Sequence, residues 1–501
     1  MSENRALMLE EKLIFEQGTE GICGIDLPAP PKHKPRLGSL RRTGKIGLPG
    51  LSEPQVVRHY TRLSQQNFGI DSVFYPLGSC TMKHNPRLNE KMARLPSFAN
   101  LHPMQPISTV QGALELIDTL AHWLKTLTGM PAIAMAPAAG AHGEFCGMAT
   151  IKAALEARGE KRHIVLVPES AHGTNPATAA ALGFTVETVP ADARGRVDLA
   201  ILKSKLGPDV AAIMLTNPNT CGLFESDIIE IADAVHKAGA YFYCDGANFN
   251  AIVGRVRPAD LGIDAMHINL HKTFSTPHGG GGPGSGPVVL AESLAPYAPL
   301  PFVVHGNAGF ALIEHTSSKV AQHSFGRMKG FHGQMGMFIR ALSYMLSHGA
   351  DGLWQVATDA VLNANYILAS LKDVMTASFE GTCMHEALFD DRFLKDTGVT
   401  TLDIAKALID KGFHPMTMYF PLVVHGAFLI EPTETESKET LDAFIAAMRD
   451  LIQKVGQGDV EFFKQSPHFT PRRRLDETLA ARQPILKWTP ANAPACTQSA
   501  A

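Results

Sequence analysis

The fold of this chain is decided by residues 264–286, which read DAMHINLHKTFSTPHGGGGPGSG. An apolar run at 265–270 predicts a buried strand that ends at His271 and Lys272, before a glycine-rich turn. In α/β proteins, ligands bind outside the carboxyl ends of the strands, and glycine lets the backbone approach a ligand closely. Lys272 is therefore a candidate amine nucleophile, although an ordinary surface lysine before a flexible loop would have the same local sequence.

Composition places the chain among large globular proteins. It has 501 residues, of which 45% are hydrophobic, and this suits a large core in two domains. The net charge is −3 and the basic runs are short, which argues against nucleic-acid binding. We expect a cytoplasmic protein, because the sequence contains neither a signal-peptide pattern nor an apolar run of membrane-spanning length. The 7 cysteines lack CxxC spacing, which predicts reduced thiols.

Proline content and hydrophobic periodicity divide the chain into four predicted regions. Residues 1–60 are rich in proline and basic residues, which predicts an extended arm. Residues 61–330 contain repeated strand–turn–helix patterns and predict a large domain. Residues 331–465 begin with a long helical pattern and predict a smaller α+β domain, and residues 466–501 predict an extended tail.

A phosphate site is predicted where a strand at 132–136 leads into a helix. The first turn of this helix contains Gly140, Ala141 and His142, and helix N-termini of small residues present backbone N–H groups to anions. The turn has neither the Gly-Lys-Ser/Thr of a Walker motif nor a GxGxxG dinucleotide fingerprint. The pattern therefore favours a phosphate on a cofactor smaller than ATP or NAD.

Three more predicted strands end in polar side chains at the same sheet edge. Strand 163–167 is followed by Ser170 and His172, and the His172 imidazole could stack on an aromatic cofactor or simply cap the next helix. The strands at 211–215 and 240–244 lead to four further candidates, which are Thr216, Asn217, Asp245 and Asn248. From their position at the strand end, we expect Thr216 or Asn217 to contact a ring oxygen of a bound cofactor.

Asp245 and Lys272 follow consecutive strands and together indicate one cofactor chemistry. A carboxylate at the end of an apolar strand is costly unless it is paired, and a pyridinium nitrogen is a suitable partner. Pyridoxal phosphate (PLP) enzymes use an acid at the ring nitrogen and a lysine Schiff base at the other end of the ring as an electron sink. The residues therefore predict PLP bound through Lys272.

Two alternatives compete with this interpretation. Lys83, in the polar loop 77–83, is a second candidate for the Schiff base, but no strand pattern precedes it. His267 and His271 are spaced like some metal ligands, but in a strand they would not share one face, and no Glu directly follows His267. We therefore favour Lys272 and predict no metal site.

Several segments resemble the P-protein family of the glycine cleavage system, glycine dehydrogenase (decarboxylating), and in particular its subunit 2 form. The resemblance covers nearly the whole chain and is carried by LGSCTMK (77–83), AAGAHGE (138–144), SAHGTNPA (170–177), NPNTCGLFE (217–225), DGAN (245–248), NLHKTF (269–274), PHGGGGPG (277–284) and IEPTETESK (430–438). The sequence departs from the family pattern at residues 414–417, HPMT, where a second proline is expected before the threonine.

This resemblance implies a PLP-dependent transferase of fold type I, with a large, doubly wound, mostly parallel sheet domain and a smaller α+β C-terminal domain. It implies that Lys272 forms the Schiff base, that Asp245 pairs with the ring nitrogen, that His172 stacks on the ring and that residues 140–144 hold the phosphate.

The activity implied by the resemblance is decarboxylation of glycine, with transfer of the aminomethyl group to the lipoyl group of H-protein and release of CO2. A subunit 1 would complete an α2β2 heterotetramer. His271 and His172 are predicted to handle protons, because imidazole titrates near neutral pH. Another fold type I enzyme that acts on a small amino acid, such as an aminotransferase or hydroxymethyltransferase, is the alternative, and Lys272 argues against a scaffold subunit that lacks the lysine.

Overall fold

The computed structural model of the chain describes residues 8–29, 31–34, 36–44, 46–279 and 284–489. Cys496 lies outside these residues, and the six cysteines within them are free thiols. Within the described ranges, no helix combines the length and the apolar character needed to cross a membrane.

A seven-stranded sheet forms the centre of the large domain. Its strands are β1 (Ala132–Ala134), β2 (Ile164–Pro168), β3 (Thr185–Val189), β4 (Val210–Thr216), β5 (Tyr241–Asp245), β6 (Ala265–His267) and β7 (Val288–Leu290). They lie in the order β1-β7-β6-β5-β4-β2-β3. Strands β2 to β6 pair in parallel, and β7 is antiparallel to both of its neighbours. The predicted mostly parallel α/β sheet is confirmed.

Helices cover both faces of this sheet. The helices of this part of the chain are α1 (Glu53–Gln65), α2 (Arg87–Ala93), α3 (Pro96–Ala99), α4 (Gln111–Thr128), α5 (Gly140–Ala157), α6 (Thr174–Ala181), α7 (Leu199–Lys205), α8 (Ile228–Lys237) and α9 (Leu270–Thr273). Of these, α4, α7 and α8 pack on one face of the sheet, and α5 and α6 pack on the other. Side chains alternate between the faces of a strand, so Ile213 and Leu215 of β4 join the core on the α4 and α8 side. Ala212 and Met214 join the core on the α5 side. A strand buried on both faces is a continuous apolar run, as the sequence of β4 is.

A hairpin that packs on the large domain is followed by a long helix that connects the two domains. The hairpin consists of β8 (Phe302–Gly306) and β9 (Gly309–Ile313), and the helix is α10 (Met335–Leu371). Helix α10 is interrupted at Gly349, where φ is +64°. Its first part packs in the core of the large domain, and its last part packs in the core of the small domain.

The small domain is built on a four-stranded antiparallel sheet. Its strands are β10 (Thr376–Ala377), β11 (Ala387–Asp390), β12 (Thr417–Met418) and β13 (Phe428–Ile430), and they lie in the order β10-β11-β13-β12. Its helices are α11 (Thr401–Asp410), α12 (Lys438–Gly456) and α13 (Val460–Gln465), and α14 (Glu477–Arg482) lies in the predicted tail. This domain has its own cluster of buried apolar side chains.

Two local expectations were wrong. The strand before Lys272 ends at His267, and Lys272 lies in the one-turn helix α9, because its N–H bonds to the Asn269 carbonyl of the same turn at 3.1 Å and not to a neighbouring strand. The predicted arm contains the first half of α1, which begins beyond Ser52, where the Gln55 side chain accepts the Ser52 N–H at 2.9 Å. The predicted domain boundaries stay predictions.

Candidate functional site

Lys272 and Asp245 come together at the carboxyl edge of the large sheet. Asp245 is the last residue of β5, and α9 carries Lys272 beyond the end of the neighbouring strand β6. The Lys272 side chain is partly buried, and its Nζ donates a hydrogen bond to the Ser79 carbonyl oxygen at 2.9 Å. The amine therefore lies between the large sheet and the loop 77–83.

The buried Asp245 carboxylate is held by three groups. Its Oδ1 accepts the Ala247 N–H at 2.9 Å and lies 3.5 Å from His267 Nε2, and its Oδ2 accepts a hydrogen bond from Asn175 Nδ2 at 3.1 Å. Burial alone would raise the pKa of Asp245, but the charges of His267 and Lys272 and these hydrogen bonds lower it below its ordinary value. An ionised carboxylate is the result, and it suits a cationic ring nitrogen.

A chain of hydrogen bonds links the residues behind Asp245. The Tyr243 hydroxyl lies 2.7 Å from His267 Nδ1, and His267 Nε2 lies 2.9 Å from Asn269 Oδ1. The Asn269 Nδ2 in turn lies 3.3 Å from His271 Nε2. Asn269 therefore joins the two histidines that were weighed as metal ligands, and it fixes both imidazole rings.

The N-terminus of α5 faces the same edge and fits an anion. A helix leaves its first N–H groups without intrahelical acceptors, and here those groups belong to Gly140, Ala141 and His142. A Cβ on Gly140 would lie 2.4 Å from Asn269 Nδ2, and one on Gly143 would lie 2.7 Å from the Gly286 oxygen. Glycine at both positions therefore lets α5 lie against the segment that carries Lys272.

The His142 ring stabilises the turn before α5. Its Nδ1 accepts the Ala138 N–H at 3.1 Å and closes the turn before α5. Burial, with the charge of Lys329 as a smaller cause, lowers the pKa of this imidazole below its ordinary value. The ring is therefore neutral at neutral pH and stabilises the turn.

His172 lies on the exposed side of the site. Its ring centroid is 5.3 Å from that of Phe420, with the planes tilted by 55°. Burial lowers the pKa of His172, while the charge of Asp245 raises it and that of Lys272 lowers it. The imidazole is thus within electrostatic range of both groups that it is predicted to accompany.

The strand-end polar residues include buried atoms that have no hydrogen-bond partner among the described residues. These are Thr216 Oγ1, Asn217 Nδ2 and Asn248 Oδ1. Buried polar groups without partners are rare in native proteins and mark places where a ligand or water binds. Ser170 is also buried beyond the end of β2, and its carbonyl accepts a hydrogen bond from the Thr220 hydroxyl.

His271 does not titrate as expected. Burial and the neighbouring charges of His278 and Lys272 lower its pKa to about 3. A side chain with this pKa is neutral at neutral pH, which removes the near-neutral titration on which its predicted proton-handling role depended.

The Lys83 ammonium already has an ion-pair partner and hydrogen-bond acceptors. It is buried, its Nζ lies 2.6 Å from Glu434 Oε1, and it donates hydrogen bonds to Asn250 Oδ1 at 2.9 Å and to the Thr273 oxygen at 2.8 Å. An ammonium paired in this way is a poor nucleophile, so Lys272 remains the candidate amine.

Two residues around Asp245, Asn175 and His267, were not predicted as part of the site, and Glu144 was predicted only within the phosphate-binding residues 140–144. Asn175 donates to Asp245 and to Glu144, and His267 had been weighed only as a metal ligand. A sequence signal exists for Glu144 and Asn175, because each is a polar residue among the small residues of a helix that packs closely on the sheet.

Comparison with known proteins identifies the family. The model of the glycine dehydrogenase C-terminal domain matches residues 356–468, and that of aminotransferase class-V matches residues 143–281. A probable glycine dehydrogenase (decarboxylating) subunit 2 of Caulobacter vibrioides is 68% identical over 97% of this chain and 93% of that protein. The protein of the same name from Exiguobacterium sibiricum is 53% identical over 96% of this chain and 98% of its own length.

Solved structures share the fold at lower identity. A crystal structure of glycine decarboxylase (P-protein) of the glycine cleavage system, in inhibitor-bound form, has a TM-score of 0.68 and 22% identity, and the match covers 85% of this chain and 91% of that one. A C-DES variant with glycine covalently linked to its PLP cofactor has a TM-score of 0.59 and 13% identity, over 75% of this chain and 96% of that one. The long, highly identical matches show that this chain belongs to the glycine dehydrogenase (decarboxylating) subunit 2 family.

Proposed function

We propose that this chain is the PLP-binding subunit of a glycine decarboxylase, which releases CO2 from glycine and transfers the aminomethyl group to the lipoyl group of H-protein. The observation that carries the proposal is the convergence of Lys272, ionised Asp245 and the α5 N-terminus at one sheet edge, in a member of this family.

The residues at this edge fit pyridoxal phosphate. Lys272 would hold the cofactor covalently through Nζ, Asp245 would pair with the ring nitrogen, and the first N–H groups of α5 would bind the phosphate. His172 would lie against the ring, and the unpaired buried atoms of Thr216 and Asn217 would bond the ring oxygen. Ser170 and Asn248 would complete the pocket wall.

Bound pyridoxal phosphate accepts the electron pair of the glycine Cα–carboxylate bond as CO2 leaves. Asp245 would maintain the positive charge on the ring nitrogen, and Asn175 together with the Ala247 N–H keeps this carboxylate oriented. Asn269 and His271 maintain the position of α9 and with it the position of Lys272.

The oxidant in this proposal is the lipoyl disulfide. The glycine carbon forms a bond to one lipoyl sulfur, the S–S bond breaks, and the other sulfur takes up a proton. This assignment agrees with the lack of a dinucleotide fingerprint in the sequence.

We propose an α2β2 heterotetramer with a subunit 1, in the cytoplasm. The relatives carry the name subunit 2, which supports a partner subunit. The arm at 1–60 exposes several apolar side chains, including Leu27, Leu40 and Leu48, and exposed apolar surface of this kind suits burial against another chain. The separate apolar clusters support the proposed division into a large and a small domain, although the large-domain cluster extends beyond residue 330 to Ala357 in α10.

The experiment is exchange of labelled bicarbonate into the glycine carboxyl group. We expect exchange when the full chain is combined with a subunit 1 and lipoylated H-protein, and loss of exchange in Lys272→Ala. Lys203→Ala, which removes an exposed lysine paired with Glu230, is the matched control. Transamination or serine formation from glycine without any need for the lipoylated carrier would overturn the proposal in favour of another PLP activity.

A further inference from the structure

The loop that receives Lys272 has an unusual backbone. Ser79 and Thr81 have φ values of +63° and +46°, in the left-handed region that side-chain-bearing residues rarely adopt. Such conformations persist only where the surroundings enforce them. The Ser79 carbonyl of this loop is the acceptor for Lys272 Nζ.

Two carboxylates of the small domain enforce this conformation. Glu386 accepts the Ser79 N–H. Glu431 Oε2 accepts the Thr81 N–H at 2.9 Å, and Glu431 Oε1 accepts the Thr81 hydroxyl at 2.5 Å. We call this set of contacts the carboxylate clasp. Successive backbone N–H groups in alternating conformations form an anion-binding concavity, and the clasp fills it from the small domain.

The two acids of the clasp lie side by side in the protein interior. Glu386 directly precedes β11, and Glu431 directly follows β13, where Ala387 pairs with Ile430. Both side chains have 0% exposure. Burial raises the pKa of each acid, and for Glu386 the adjacent Glu431 raises it further. Two such neighbouring acids ionise one at a time.

The charges of the groups around the clasp show which of them can act as its counter-ion. His385 Nε2 lies 3.7 Å from Glu386 Oε2 and 4.0 Å from Glu431 Oε1, and burial lowers the pKa of His385 to about 3, so the ring is neutral. Lys83 is paired with Glu434. The other titratable groups that act on the clasp are Lys272, Cys80, Cys221 and Cys383. Among these groups Lys272 is the cation whose charge lowers the pKa of both acids of the clasp, and it also acts on the ionised Asp245 carboxylate.

We propose that Glu386 and Glu431 are positioning residues for Lys272: they share one proton, hold the Ser79 carbonyl against the Lys272 amine, and supply one negative charge to this amine in addition to that of Asp245. The proposal deepens the proposed function, since it concerns the lysine that would hold the cofactor. It is tested without turnover, so a chain that failed to decarboxylate glycine would still give a result.

The shared proton makes a specific prediction for glutamine variants. A Gln side chain imitates a protonated acid, so E386Q or E431Q alone keeps the charge of the clasp and its acceptors for the loop N–H groups. The double variant E386Q/E431Q keeps the shape and loses the charge. Glu380→Gln, an exposed acid of the same domain, is the matched control.

The measurement is the pH dependence of acylation at Lys272 in the cofactor-free full chain, followed by mass spectrometry. We expect each single variant and E380Q to have the wild-type midpoint. The double variant should acylate with a midpoint lower by about one pH unit, because an opposite charge nearby stabilises the ammonium. If either single variant lowered the acylation midpoint as far as the double variant is expected to, the two acids would not share one charge. An unchanged midpoint in a folded double variant would also overturn the proposal.

Hydrogen exchange tests the clasp itself. In E386A the Ser79 N–H loses its acceptor, so we expect the amides of residues 79–81 to exchange about tenfold faster, while those of β4 are unchanged. Equal protection of residues 79–81 in E386A and wild type would exclude the positioning role. A Lys272 midpoint that moves when the wild-type chain is dialysed against a chelator would also overturn the proposal, because a bound cation would then neutralise the acids.

Discussion

Glu144 and Asp245 hydrogen-bond to the same Asn175 amide nitrogen, at 2.8 and 3.1 Å, yet they hold opposite protonation states. Burial, and then the charge of Asp245, raises the pKa of Glu144 to about 8. The pKa of Asp245 is lowered by His267 and Lys272 despite its burial. One buried acid is thus kept neutral so that the other remains charged at the site edge.

This relationship predicts how stability depends on pH. Glu144 has an ordinary pKa of 4.5, raised to about 8 in the folded chain, so between these values the folded state binds more protons than the unfolded state. Its contribution to stability therefore falls as pH rises through this window. In Glu144→Gln this contribution is absent, and urea unfolding should lose less stability between about pH 5 and pH 8. The exposed control Glu292→Gln should follow wild type, and parallel curves for Glu144→Gln and wild type would contradict the assignment.

Asp245→Asn should keep the fold and lose the function. The amide retains the size of the side chain but cannot hold a positive charge on the ring nitrogen. We expect glycine carboxyl exchange to fall on the order of 100-fold or more, with an altered visible band of the bound cofactor. Asp260→Asn, an exposed acid paired with Arg257, is the control and should exchange like wild type. Full exchange in Asp245→Asn would show that the carboxylate does not contact the ring.

Gly143→Ala tests the close approach of α5. Its Cβ would lie 2.7 Å from the Gly286 oxygen and 2.8 Å from His267 Cβ, so α5 must move. We expect a loss of about 1–3 kcal/mol of unfolding free energy, with weaker cofactor binding. At Gly112, in α4, nothing lies within 4 Å of an added Cβ. Gly112→Ala should therefore stabilise the chain by up to about 1 kcal/mol, and equal effects at both sites would disprove the packing argument.

Lys83→Met should destabilise the chain by about 3–5 kcal/mol, because it leaves the Glu434 carboxylate buried and unpaired. Adding Glu434→Gln removes that charge, and the double variant should recover most of the loss in urea denaturation. If the double variant is as unstable as the single variant, the ion pair is not the cause. The cofactor should still attach at Lys272 in both variants.

Local sequence patterns predicted the elements that carry the site. The strands at 163–167, 211–215 and 240–244 and the carboxylate at the end of β5 all follow from hydrophobic periodicity and from polar residues at the strand ends. The turn of α9 was missed, because its apolar residues 268 and 270 fit a strand as well as a helix.

The carboxylate clasp and the Lys83 ion pair could not be predicted from the sequence. Glu386 is 307 residues from Ser79 along the chain, and Glu434 is 351 residues from Lys83. No local pattern carries information about such contacts, which exist only once the small domain packs on the loop 77–83. The lowered pKa of His271 was missed for the same reason, since its burial depends on tertiary packing.

Helix α10 supplies side chains to both hydrophobic cores: its residues from Phe338 to Ala357, on both sides of the break at Gly349, join that of the large domain, and those from Ala364 to Leu371 join that of the small domain. Neither core is complete without its share of this single helix. We therefore expect calorimetry to give one melting transition for the whole chain, and cleavage at the break to separate Leu353, Val356 and Ala357 from the rest of the large-domain core, so that the N-terminal fragment lacks cooperative folding of its own.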